Sequence, residues 1–307
     1  MIDPPRGPAQ SAAMPIAQAI LPAALLIFLG LVTRRSGLLP EPVWQGIAQL
    51  CFCLLIPASL LASLLQPDLL QFETGPFGRA FLAASAICAL IALALPLGRT
   101  ARSTIFMTGT QPGALIAVAL CTVMLGAKGA NIAAHAITLT LPLFLLANML
   151  VLTLTGGGRA AVRSLALNPI LLTGLAGIAL NLSGTRLPGI VAEALPMLLT
   201  AGATLALLTL GAMIRPDLLL RPSASLIAGI LLRIVIGPVI FWAMAVQLEL
   251  APDLRLAGLL IAASPAAAET CILASQLGGE PEHCATTITW QIVLAIFAIP
   301  ITLSVLA

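Results

Sequence analysis

The chain has 307 residues, of which 60% are hydrophobic and only 8% charged, with a mean hydropathy of +1.11. A soluble domain carries about 25% charged residues, so a water-soluble surface is excluded for the chain as a whole. The 14 basic and 11 acidic residues leave a net charge of +3 and are scattered through short connections; with no basic stripe, nucleic acid is excluded as a partner.

Residues 1–14, rich in proline and small residues, read as a disordered extension, with Met14 as an alternative start. The apolar run behind them ends in Arg34 and Arg35 instead of a small-residue cleavage site, which argues against a secretory signal peptide. Apolar runs near the roughly 20 residues that span a bilayer then follow at 15–33, 48–66, 80–97, 103–125, 131–154, 168–182, 190–213, 225–247, 256–277 and 286–306. The sixth is the shortest and is interrupted by Gly174 and Gly177. The expected fold is therefore all-α and integral to the membrane, with ten transmembrane helices in one membrane domain. Trp44, at the start of the second span, reads as an aromatic interface anchor. Pro57, Pro196 and Pro238 read as ordinary kinks. The six cysteines lie singly in or beside apolar segments and read as small hydrophobes.

Connections after the first, third, fifth and seventh spans hold Arg34, Arg35, Arg99, Arg102, Arg159, Arg163, Arg215 and Arg221, whereas the opposite side holds Arg6, Arg79, Lys128, Arg186 and Arg255 singly. The paired arginines are expected in the cytoplasm, with both termini outside.

GLVTRRSGLLPEPVWQGI from Gly30 reads like GIALNLSGTRLPGIVAEA from Gly177, with Ser36-Gly37 falling on Ser183-Gly184. Met124-Leu125-Gly126 likewise matches Gln276-Leu277-Gly278. Five helices are repeated, 15–155 and then 156–307. Because a five-helix unit starts on one side and ends on the other, the second copy is inverted.

Inverted-repeat carriers bind solute near the bilayer midplane, at matched Gly/Pro-interrupted helices. Here the matched pair is the fourth span, with Thr108, Thr110, Gln111, Pro112 and Gly113, and the ninth, with Pro265, Glu269 and Thr270. Proline removes an N–H and crowds the preceding turn, so carbonyls are freed at membrane depth, where only protein or a wet cavity can satisfy them. Asn148 and Gln291 are further candidates for substrate binding, against the alternative of helix packing. Glu269 is the only carboxylate deep inside a span, and Arg233 the only deep base. Three readings of Glu269 compete: an ion pair with Arg233, a proton-coupling group, and a direct ligand; Arg233 could also snorkel to the interface. His135 stands without metal-spaced partners. No nucleophile elbow, zinc motif or phosphate loop occurs, so neither an enzyme nor a cofactor or metal is expected.

From Ile20 to Leu306 the chain resembles the auxin efflux carrier family, in its bacterial branch of malonate- and malate-permease-like proteins. The resemblance rests on ILPAALLIFLGLVTRRSGLLP, LCFCLLIPASLL, MTGTQPGALIAVAL and, most specifically, LIAASPAAAETCILASQLGGEPEHCATTITWQIVLAIFAIP. It implies an inverted five-plus-five fold, with helices one, two, six and seven as a scaffold and the other six as a transport unit whose broken fourth and ninth helices cross at the substrate. Two positions depart from the family pattern: Gly113, where asparagine is frequent, and Glu269, where small or neutral residues are usual.

The expected function is a secondary carrier or uniporter for a small organic anion in a bacterial cytoplasmic membrane, with H+ or Na+ as candidate coupling ions and a homodimer compatible with the class. Half-helix N-termini, with about half a positive charge each, favour anions. The alternative is a sodium-coupled symporter of the bile-acid type, and a membrane enzyme is less favoured.

Overall fold

The computed structural model describes residues 8–65, 75–156, 168–184 and 188–306. Arg6, Arg159, Arg163 and Arg186, which bear on the expected orientation, lie outside them. Among the described residues every regular element is helical, and extended pairing is confined to one isolated bridge. In chain order the helices are α1 (Pro8–Arg35), α2 (Glu41–Leu50), α3 (Ile56–Leu64), α4 (Pro76–Ala94), α5 (Arg99–Thr110), α6 (Ala114–Gly156), α7 (Pro169–Leu182), α8 (Gly189–Met213), α9 (Pro216–Leu219), α10 (Ala224–Leu231), α11 (Gly237–Gln247), α12 (Pro252–Ala263), α13 (Glu269–Gln276) and α14 (Pro281–Leu306). Helix α1 begins at Pro8, ahead of the expected boundary at 15: proline suits the first turn of a helix, where its missing N–H has no partner to lose.

Among the described residues, seven helical stretches are long and apolar enough to cross a membrane: Ile16–Arg35, Glu41–Ala62, Pro76–Ala94, Ala114–Leu154, Gly189–Met213, Ala224–Gln247 and Pro281–Leu306. Helix α7 is shorter, 14 residues, or about 21 Å at 1.5 Å per residue, with the Asn168 side chain capping its first turn through Ile170 N. Helix α6 is not one rod. At Gly126 the backbone leaves helical geometry (φ 63°), and a Cβ on Gly129 would sit 2.2 Å from the carbonyl oxygen of Cys121. Eight residues of straight helix rise about 12 Å, so the chain folds back sharply there.

Two helical stretches widen by one residue. Cys51–Leu55 joins α2 to α3 and Leu232–Ile236 joins α10 to α11, both as π-turns closed from Ile56 N to Cys51 O and from Gly237 N to Leu232 O. Each stands just ahead of a proline, Pro57 or Pro238. A proline ring crowds the carbonyl four residues back and offers that carbonyl no N–H, and an extra residue in the turn relieves both conflicts. These two kinks, expected as ordinary, therefore have a specific local form.

Helix α1 packs along α8, α3 against α7 and α8, α4 against α11, α5 against α10, and α6 against α12. The α1–α8 seam depends on small residues, as helix contacts in lipid generally do. A Cβ on Gly30 would lie 2.0 Å from Leu208 O, and one on Gly211 would lie 2.0 Å from Ile27 O. Gly211→Ala is expected to lower stability by about 1–3 kcal/mol, whereas Gly46→Ala, with nothing within 4 Å of the added carbon, leaves the melting temperature unchanged or higher. Thermal unfolding of the purified variants checks the contrast.

Candidate functional site

Helix α5 stops at Thr110 and α12 stops at Ala263 because each meets a proline two residues on, Pro112 and Pro265. The two breaks cross. Pro112 and Ala266 form an antiparallel bridge, with Gly113 N donating to Pro265 O (2.8 Å) and Ala267 N to Gln111 O (3.2 Å). A Cβ on Gly113 would come within 2.9 Å of Pro265 O and 3.2 Å of Ala266 O, so glycine is what lets the two breaks approach this closely. The chain resumes as helix at Ala114 and at Glu269, so two helix N-termini and two helix C-termini converge at one point in the interior.

Each proline leaves the carbonyl four residues earlier without its helical N–H: Thr108 O for Pro112, Ile261 O for Pro265. Thr108 O is recaptured by a side chain, whereas Ile261 O accepts from Ser264 N (3.3 Å) and Ser264 Oγ (2.8 Å) and from a side chain across the break. Gln291 Nε2 donates to Thr108 O (2.9 Å) and Gly229 O (3.0 Å), while its Oε1 accepts from Ala266 N (2.9 Å). Arg233 Nη2 donates to Ile261 O (2.8 Å) and Ser264 Oγ (3.3 Å), Nε to Ser264 O (2.6 Å) and Nη1 to Thr110 O (3.2 Å). Arg233 is 4% exposed and does not snorkel.

Arg233 and Glu269 form no ion pair among the described side chains. The reason is the polarity of the break. Arginine is drawn to the negative C-terminal ends of α5 and α12, while Glu269 settles at the positive N-terminus of α13, where a carboxylate is favoured. The expected equal depth of the two residues said nothing about which end of the break each would meet.

Of the remaining candidates, Asn148 Nδ2 donates to Gln111 Oε1 (2.5 Å). The hydroxyls of Thr108, Thr110 and Thr270 bond to Thr104 O, Phe106 O and Ala267 O of their own chain segments. Gln111 Nε2 and Asn148 Oδ1 are buried without a protein partner among the described residues, one donor and one acceptor left beside the crossing.

A cavity of about 550 Å³ opens beside it, walled by Pro22, Leu55, Ile56, Leu115 and Leu145 among others, and among the described residues Glu269 is its one charged lining residue. A second space of about 20 Å³ lies between Gly113–Ile116 and Ala266–Glu269, room for about one water molecule. On the far side of α13, Ser275 and Gln276 line a vestibule of about 890 Å³ with Arg34, Arg35, Glu41, Arg215, Asp217 and Glu282. Arg34 pairs with Glu41, and Arg215 with Asp217 (3.3 Å) and Glu282 (3.2 Å). Such exposed pairs are worth about 0–1 kcal/mol and shape the mouth more than they hold it. Trp44 also lines this vestibule and is buried, not set in an interface belt.

Sequence reasoning missed Ser264 and the carbonyl-binding role of Arg233. The available signal was spacing, a proline four residues after Ile261 with a lone deep arginine one helix earlier.

All-helical described residues, with seven membrane-length apolar helices and a polar crossing of broken helices in the interior, are the features of a membrane transporter. Residues 157–303 match the model of the family described as Membrane transport protein, the auxin efflux carrier family. No curated protein matches the chain significantly.

Replacing Gln291 by leucine would strand Thr108 O and Ala266 N, at about 1–3 kcal/mol for each buried group left unpaired. Gln291→Leu is expected to melt well below wild type, and Gln291→Glu, which keeps the acceptor alone, to fall between; differential scanning fluorimetry orders the three.

Proposed function

We propose that the chain is a proton-coupled carrier of a small organic anion, working by alternating access in a bacterial cytoplasmic membrane, with substrate bound where the broken helices cross. The observation that carries this reading is Glu269, standing at the head of an apolar cavity between two helix N-termini, with no cationic side chain among the described residues that line it.

The reading takes ten membrane crossings as two inverted five-helix repeats. The turn at Gly126 divides α6 into two crossings, and α5 with the start of α6, like α12 with α13, makes one broken crossing. Four glycines at positive φ support the repeat: Gly37 (69°), Gly126 (63°), Gly184 (64°) and Gly278 (74°). They pair at the offsets of the matched sequence segments. The Gly37 and Gly184 turns repeat even their hydrogen bonds, with Ser36 N to Val32 O and Ser183 N to Ala179 O, and each serine hydroxyl bonded three residues back. The reciprocal bonds of the crossing are what an approximate two-fold axis through it would produce.

Helices α1, α2, α3, α7 and α8 make the static part in this reading, and the remainder moves. The partition between apolar cavity and vestibule is α13, eight residues long, or about 12 Å. A modest displacement of the moving part passes the crossing from one cavity to the other. The N-terminus of α13 is already taken by Glu269, so the N-terminus of α6 at Ala114 receives the substrate anion. A second negative charge is admitted beside Glu269 only once that carboxylate is neutralised, because like charges in a weakly polarisable site repel strongly. A proton on Glu269 supplies the neutralisation, and the acid then donates a hydrogen bond to the substrate carboxylate.

Uptake of a radiolabelled carboxylate panel into proteoliposomes is therefore expected to rise as pH falls on the loading side. Glu269→Gln, a permanent stand-in for the protonated acid, is expected to fold, to bind the anion and to lose that pH dependence. Uptake by Glu269→Gln with an unaltered pH profile would sink the proposal. Reporters fused after Leu220 and after Leu306 are expected in the cytoplasm and outside respectively; the reverse result would invert the topology.

A further inference from the structure

Among the described residues the buried guanidinium of Arg233 has four oxygen partners and no carboxylate. Three are backbone carbonyls, Thr110 O, Ile261 O and Ser264 O, and the fourth is Ser264 Oγ, at 2.6 to 3.3 Å. Two of the donors of negative potential are helix C-terminal ends, those of α5 and α12. Each such end carries about half a negative elementary charge, so together they offset about one positive charge, which is what the guanidinium supplies. The arrangement is thus neutral without any ionised acid.

Convergent helix C-termini and unwound carbonyls form the cage in which inverted-repeat carriers hold a coupling cation. We infer that Arg233 is a built-in cation: its guanidinium occupies the cage between the C-terminal ends of α5 and α12 that a coupling sodium ion would otherwise take, so that the conformational cycle needs no sodium. The inference rests on reading the crossing as the transport site, and it assigns the two faces of the crossing different tasks. The N-terminal face holds the exchangeable partners, and the C-terminal face is permanently filled.

The π-turn at Leu232–Ile236 contributes to the placement, since Arg233 lies in the widened turn. Covalent tethering has a consequence a free ion lacks: the cation cannot leave, so no cation gradient can be drawn upon at this face. Arg233 acts as a positioning residue for the two breaks and does not touch the substrate.

The test reads stability and leaves transport aside, so it stands apart from the fate of the anion proposal. Purified protein is melted in sodium chloride and in choline chloride at equal ionic strength. Wild type is expected to shift by less than about 1 °C between them, since a cation that binds only the folded state would raise the melting point. Arg233→Ala in choline is expected to lose stability, and to regain at least half of the loss in sodium chloride or in dilute methylguanidinium chloride. Arg233→Lys is expected to fold and stay indifferent to sodium. Stabilisation of wild type by sodium over choline would overturn the inference, and should Arg233→Ala fail to fold, this arm and Arg233→Lys still decide it. An Arg233→Ala protein that is destabilised but answers to no cation, or that is as stable as wild type in choline, would overturn it as well.

Discussion

Backbone polar groups at the depth of the hydrocarbon layer have no water to fall back on, and each one left unpaired costs several kcal/mol. Two prolines in the middle of apolar helices create that problem deliberately, at Thr108 O and Ile261 O, and the surrounding structure is arranged around solving it. Gln291 reaches over from α14 and Arg233 from the π-turn between α10 and α11, while the broken ends bond to each other through Gly113 and Ala267. Without these partners the crossing would either straighten into helix or fill with water. With them, four helix ends are held open and pointed at one another.

The pairing sorts charge by helix polarity. The cation goes to the C-terminal ends and the carboxylate to an N-terminal end, so neither needs the other. The side-chain amides of Gln291 and Asn148 work at the same level because an amide offers both a donor and an acceptor. Gln291 uses both on backbone groups; Asn148 donates to Gln111, and its acceptor has no protein partner among the described residues. A crossing of this kind is stiff where the backbone bonds lie and chemically open beside it.

Much of this was legible before any coordinates. Apolar run length pointed to an all-helical membrane chain, with seven membrane-length stretches among the described residues where ten runs were expected, and the matched prolines located both breaks, because a proline's effect on its own turn is local. The Ser-Gly pairs at 36–37 and 183–184 announced two turns that share one geometry, since glycine at positive φ is a local requirement too. Arg233 was different. Its depth along the axis followed from counting residues, but its direction around the helix depended on an extra residue in the π-turn, and its partner depended on the five-residue break between Ser264 and Ala268. Trp44 was misjudged for a related reason: position along a span says nothing of which side faces lipid. The apolar cavity, walled by residues from five segments, has no linear signature at all.

The two π-turns bear on how this chain can change in length. A widened turn is one residue of surplus absorbed within that turn, so removing the residue would restore a regular turn and keep the downstream helix faces in place. At Cys51–Leu55 and Leu232–Ile236 the surplus is tied to the proline two positions on, which a regular turn would not accommodate. Loss of the residue and loss of the proline are thus coupled edits: losing the residue alone would force the proline into a regular turn, whereas both together restore a regular helix with its downstream faces kept. In related chains, a one-residue gap at either turn should accordingly travel with replacement of Pro57 or Pro238, and at the second turn it would carry Arg233 off its carbonyls.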